Sequence, residues 1–152
     1  MRVVLDINVL VSAAITPTPG ELARDILDQA RAATYTLLVS DFMVWKLASV
    51  LSYPRVRVRY PHLTQETVRG YVAETAQLAE SVREHTSLTE ADGASRDPED
   101  NHILAVAVDG KADYVVTRNT AHFPAEFRGV RVVAPEAFRE MLRSRGAEVV
   151  VP

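Results

Sequence analysis

Short apolar runs recur along the chain, and the stretches between them carry apolar residues at helical spacing. The runs are residues 3–5 (Val-Val-Leu), 37–39 (Leu-Leu-Val), 114–116 (Tyr-Val-Val) and 130–133 (Val-Arg-Val-Val). A strand with one wet face alternates apolar and polar residues, whereas a strand covered on both faces reads as a continuous apolar run. Covered strands that alternate with helices build a parallel sheet with helices on both sides. The fold class expected is therefore α/β with a central, mainly parallel sheet, and residues 3–5 and 114–116 are expected as its central strands.

The helical stretches follow from the same reading. Leu22, Ile26, Leu27 and Ala30 place a helix over 21–33, entered from the turn-forming Thr16-Pro17-Thr18-Pro19-Gly20. Residues 42–51 are apolar on nearly every side, which predicts a buried helix, and Tyr53-Pro54 ends it because proline disfavours helix at the residue before it. A long helix is predicted over 64–82 and a polar loop over 87–96. Asp97 suits an N-cap, Pro98 the first helical position and Asp100 the third, opening a helix through 108. Pro135 opens a last helix through 145. One domain is expected over 1–147, with 148–152 as an edge strand or a free tail.

Composition narrows the function classes. The chain of 152 residues is long enough to bury the core of a single domain. It has no cysteine, which excludes disulfides and thiolate metal sites and suits a reducing cytoplasm. The apolar run before Asp6 is too short for a secretory signal or a membrane span, so neither is expected. A net charge of −3 gives no general affinity for nucleic acid, although charge can be unevenly spread. Arg55, Arg57 and Arg59 alternate beside Tyr53 and Tyr60, and the simplest reading is a solvated loop or edge. The histidines, His62, His85, His102 and His122, show no zinc-ligand spacing. There is no glycine-rich phosphate loop and no Gly-x-Ser-x-Gly elbow.

Ligands of open parallel sheets bind beyond the carboxyl ends of the strands. Those ends read Asp6-Ile7-Asn8, Ser40-Asp41 and Thr117-Arg118-Asn119, and chain direction alone sends them to one edge. A carboxylate directly after a buried strand, as at Asp6, contributes little to stability except as a cap or turn residue. Capping also accounts for Asp97, yet Asp97 can cap while Asp100 projects into a site. Carboxylates that meet at a strand edge suit hard cations such as Mg²⁺ or Mn²⁺, which activate water and offset charge on a phosphodiester.

These residues resemble the PIN-domain family, over nearly the whole chain and in the right order. Val3 to Ser12, with Asp6-Ile7-Asn8, resembles the opening strand, where Ile7 replaces the usual hydroxyl residue. Asp97-Pro98-Glu99-Asp100-Asn101 with the apolar helix after it resembles the VapC-like toxin branch, as do Thr117-Arg118-Asn119, His122-Phe123-Pro124 and Val133-Ala134-Pro135-Glu136. The resemblance implies a three-layer α/β/α fold and an Mg²⁺- or Mn²⁺-dependent endoribonuclease. By position it implies Asp6 and Asp100 as catalytic and metal-binding residues, with Asp97 as a further ligand or cap. Asn8, Thr117 and Asn119 support them, Asn119 lying where many relatives have a fourth acid, and Arg118 is a candidate contact to RNA. It also implies a small antitoxin protein as partner, and a homodimer.

One position departs from the pattern. Where the family has Glu-Leu-x-x-Val-Leu, with the glutamate a ligand, this chain has Lys46-Leu47-Ala48-Ser49-Val50-Leu51. Lysine has no acceptor and cannot bind a cation. One reading is a snorkelling surface lysine. The sharper one buries the ammonium between Asp6 and Asp100, paired with both, so that Lys46 takes the metal's place and impairs the enzyme. A PIN module without catalysis, binding RNA or a protein, is the alternative function. A phosphohydrolase with Asp6 as nucleophile would usually carry a second aspartate at Asn8, which counts against it.

Overall fold

Val3, Val4 and Leu5 have no exposed surface, and the strand they form, β1 (Arg2–Leu5), is the centre of the fold. In the computed structural model, which describes residues 1–150 with side chains placed through 146, β1 pairs in parallel with β2 (Thr36–Val39) and with β4 (Tyr114–Val116). The sheet is completed by β3 (Glu80–Ser81), β5 (Glu126–Phe127) and β6 (Val130–Val133), in the order β3-β2-β1-β4-β6-β5. All pairings are parallel except the β5–β6 hairpin.

Strand order sets the layers. From β1 the chain passes through α1 (Ile7–Ile15) and α2 (Leu22–Arg31) to β2, moving toward one edge. From β3 it passes through α6 (Pro98–Asp109) back across the sheet to β4. Parallel crossovers are right-handed, so these opposite movements put α1 and α2 on one face and α6 on the other. The last helix, α7 (Pro135–Val150), joins α2, and its Phe138 packs edge-on against Tyr35 at 5.2 Å. The result is the three-layer α/β/α architecture. Its strand order turns at β1, which opens a crevice between the carboxyl ends of β1 and β4.

Several local expectations are corrected. Helix begins directly after β1 as α1, with no loop between, because Asp6 is itself the N-cap. The predicted 64–82 helix is α5 (Gln65–Leu78) followed by β3, which extends the sheet beyond β2. The helix over 42–51, α3 (Asp41–Leu51), is not buried all round. Met43, Leu47 and Leu51 form one buried stripe at i, i+4 and i+8, while Trp45 is 61% exposed. The arginine stretch is neither loop nor edge but α4 (Pro54–Arg59), in which alternate residues point to opposite sides. Helix α7 runs past 145 to Val150, so 148–150 are not an edge strand; residues 151–152 of that expected tail lie outside the described residues.

Gly110, just after α6, marks a close helix–sheet approach. A Cβ there would fall 2.9 Å from Leu38 Cδ1, from Val82 Cγ2 and from the Val106 carbonyl oxygen. Backbone oxygen cannot swing aside as a side chain can. Gly110→Ala is therefore expected to destabilise the fold by about 1–3 kcal/mol through overpacking. Urea denaturation measures it, and an unchanged midpoint would contradict the close approach.

Candidate active site

Asp6 ends β1, caps α1 and is 6% exposed. Its Oδ1 accepts the Ile7 backbone N–H at 2.7 Å. Its Oδ2 accepts the Thr117 hydroxyl at 2.7 Å and the Asn8 amide at 3.3 Å. Thr117, just past β4, has no exposed surface and accepts the Asn119 backbone N–H at 3.1 Å. The Asn8 side-chain oxygen accepts the Arg118 backbone N–H at 3.3 Å. The ends of β1 and β4 are thus joined through side chains as well as through the sheet.

Asp100 stands on the first turn of α6, after Asp97, whose carboxylate caps the helix by accepting the Glu99 N–H at 2.9 Å. Ser95 donates its hydroxyl to Asp100 Oδ2 at 3.2 Å and accepts the Asp97 N–H at 3.1 Å. Asp6, Asn8, Lys46, Asp97, Glu99, Asp100, Arg118 and Asn119 line one cleft of about 440 Å³, walled on its apolar side by Ile7, Val11, Ile15, Phe42, Val50 and Ile103. Of the residues expected at strand ends, Ser40 caps α3 through the Met43 N–H, and neither it nor Asp41 lines the cleft.

Lys46 also lines this cleft, but not as the sharper expectation had it. Its ammonium donates to Glu99 Oε1 at 2.8 Å, and its side chain is 20% exposed. Its other charged and polar neighbours of consequence are Tyr53 and Asp97, not Asp6 or Asp100. Helix α3 crosses opposite the start of α6, so the long lysine stem reaches the exposed Glu99 and keeps its head at the surface. The ammonium therefore does not fill the space between Asp6 and Asp100. Ser95, Glu99 and Ser12 are the site residues that sequence reasoning missed. Glu99 was visible within the acidic string, but the pairing that gives it a role spans 53 residues.

The electrostatics of the two aspartates agree. Burial pushes the Asp6 carboxyl above its usual range, the Thr117 and Ile7 hydrogen bonds pull against it, and Asp97 and Glu99 repel it further upward. Asp100 is raised by burial first, then by Asp97 and Asp6, with Ser95 opposing. All donors are oxygens, which suits a hard cation, and a divalent charge would relieve the mutual repulsion. Among the described residues no three acidic or histidine side chains stand close enough to cage an ion. Mg²⁺ needs no such cage, since one or two carboxylates hold it with water and substrate phosphate completing the shell. Asp6 and Asp100, with Asp97 beside them, fit that kind of site.

A carboxyl with a raised folded pKa holds its proton more tightly folded than unfolded. Its contribution to stability is present below the unfolded value and is lost as pH rises through the folded one. Asp6 and Asp100 therefore both oppose folding at neutral pH. Thr117→Val removes a bond that favours the Asp6 anion, so Asp6 is expected to titrate at still higher pH. Carboxyl ¹³C NMR titration reads this directly, and an unmoved Asp6 would show that Thr117 does not hold its charge.

The model of the PIN domain matches residues 2–121. That span runs from β1 to the turn after β4 and includes every acid of the cleft together with Lys46 and Asn119. No curated protein matches the chain. With the sheet order, the cleft at its switch point and this match in agreement, the chain belongs to the PIN domain family, whose fold is of the nuclease type.

Proposed function

We propose that this protein is a metal-dependent endoribonuclease, the toxin of a toxin–antitoxin pair, working in the cytoplasm with a site weakened by Lys46. The observation that carries the catalytic part is the pair Asp6 and Asp100. Both are raised above the usual carboxylate range in one cleft, at the point where the strand order turns. Mg²⁺ or Mn²⁺ held by Asp6 and Asp100, with Asp97 beside them, would activate water and offset charge on the phosphodiester.

The chain's own groups prepare that site. Thr117, Asn8 and the Ile7 N–H fix the Asp6 carboxylate in one orientation. Ser95 does the same for Asp100. Phe42, Val11, Ile15 and Ile103 give the cleft an apolar wall that limits water. Asn119 and Arg118, both exposed at the rim, are placed to meet an incoming phosphate. Lys46 weakens the site by removing a donor rather than by occupying the centre. Exposed Trp45, Tyr53 and Val58 on and beside α3 and α4 support a protein partner, an antitoxin or a second copy. No described helix is long and apolar enough to cross a membrane.

A second reading is a PIN module that binds RNA or a protein without cleaving. It is favoured by the Lys46–Glu99 pair on the cleft wall. Cleavage of a mixed RNA pool in Mg²⁺ or Mn²⁺ separates the two. Asp6→Ala and Asp100→Ala are each expected to lose about a hundredfold or more in rate, as when a charge-stabilising group is removed. Chelation is expected to stop cleavage. Lys46→Glu is expected to cleave at lower metal concentration than the parent chain. An unchanged metal requirement would mean Lys46 does not weaken the site, and silence of parent and Lys46→Glu in both metals would favour the binding module.

A further inference from the structure

The cleft does not end at Arg118. A second cavity of about 230 Å³ adjoins it, walled by Val9, Leu22, Ala23 and Pro135, with Glu21 and Glu136 also lining it. Ser12 and Arg118 line both spaces and so form the threshold between them. Ser12 donates its hydroxyl to the Asn8 carbonyl at 2.8 Å and accepts from Arg118 Nη1 at 3.0 Å. The guanidinium is therefore held in place by the same turn that holds Asp6. Among the described residues no carboxylate pairs with it. The other cation of the cleft, Lys46, is taken by Glu99. Arg118 is thus the positive group of the cleft left for an anion, and four of its five N–H donors remain after Ser12.

We propose that the second cavity is a subsite for the nucleotide next to the scissile phosphate, with Arg118 binding that nucleotide's phosphate and the cavity taking its base. The inference rests on the reading of the adjoining cleft as an RNA site. Size supports a single base, because the cavity lies below the roughly 300–1,000 Å³ of pockets that enclose drug-sized ligands. Val9, Leu22, Ala23 and Pro135 offer an apolar surface for the ring face. The carboxylate oxygens of Glu21 and Glu136 accept hydrogen bonds, so they favour bases with an exocyclic amino group and its two N–H donors over uracil, which has only its ring N3–H. Adenine and cytosine are preferred over uracil on that ground.

The test uses fluorescein-labelled tetraribonucleotides of adenine, cytosine and uracil, titrated with the full chain in EDTA at low salt and followed by anisotropy. The parent is expected to bind the adenine and cytosine oligomers more tightly than the uracil oligomer. Arg118→Ala is expected to weaken binding about tenfold or more, the value of one charge-assisted hydrogen bond. Ala23→Leu, which fills the cavity, and Glu136→Gln at its exposed rim are each expected to narrow the preference over uracil. Circular dichroism monitors their folding, and Glu136→Gln carries the test should Ala23→Leu not fold. No binding by the parent, binding indifferent to Arg118, or a base preference untouched by Glu136→Gln would each overturn the subsite. Arg118-dependent binding without cleavage in any metal would instead overturn the nuclease reading and leave the cavity as a nucleotide pocket of a binding module.

Discussion

A single hydrogen-bonded carboxylate ties the chemistry of this protein to its topology. Asp6 is the last step of the central strand, the cap of the first helix and the acceptor for a hydroxyl carried past β4. Its backbone N–H meanwhile donates to Val116, continuing the β1–β4 ladder. Burying a charge is costly unless it is hydrogen-bonded, and here the Ile7 N–H, the Thr117 hydroxyl and the Asn8 amide share it. They do not fully compensate, since the carboxyl remains above its usual range. Asp6 serves stability as the cap of α1, and the part of its charge left uncompensated is open to a cation.

How much of this was legible depended on how local the cause was. The cap at Asp97, the proline after it and the third-position Asp100 are decided within a few residues, and the structure has them as read. The abrupt acid after Val3-Val4-Leu5 marked the strand end in the same way, and its reading as a cap holds, since α1 begins at once. Two-residue strands such as β3 and β5 have no periodicity to read; they exist because β2 and β6 offer an open edge. The exposure of Trp45 was likewise hidden. Apolar residues on every side of α3 suggested burial, but only the Met43–Leu47–Leu51 stripe is fully buried. Lys46 was visible as an oddity, yet its partner is set by how α3 meets α6, which no local pattern encodes.

The position of the Lys46 ammonium changes what the substitution means. A lysine between Asp6 and Asp100 would have to shed its water and would be held there by one buried and one half-buried carboxylate. At Glu99 it keeps partial hydration, and the partner is itself exposed. Surface pairs of that kind are worth little in stability. The pairing leaves the Lys46 ammonium away from Asp6 and Asp100, which line the same cleft.

The cleft as a whole therefore remains short of positive charge. Four acids line it, Asp6, Asp97, Glu99 and Asp100, against Lys46 and Arg118. Lys46 pairs with Glu99, an exposed acid of the cleft, and the Arg118 side chain has only a serine as partner. A polyanion approaching such a surface meets repulsion from the acids, which a divalent ion entering with it would offset, and attraction only at Arg118. The electrostatic demand for a cation thus persists with a lysine, not an acid, at position 46. Lys46 offers an ion no oxygen, yet the surplus of acids around the cleft remains.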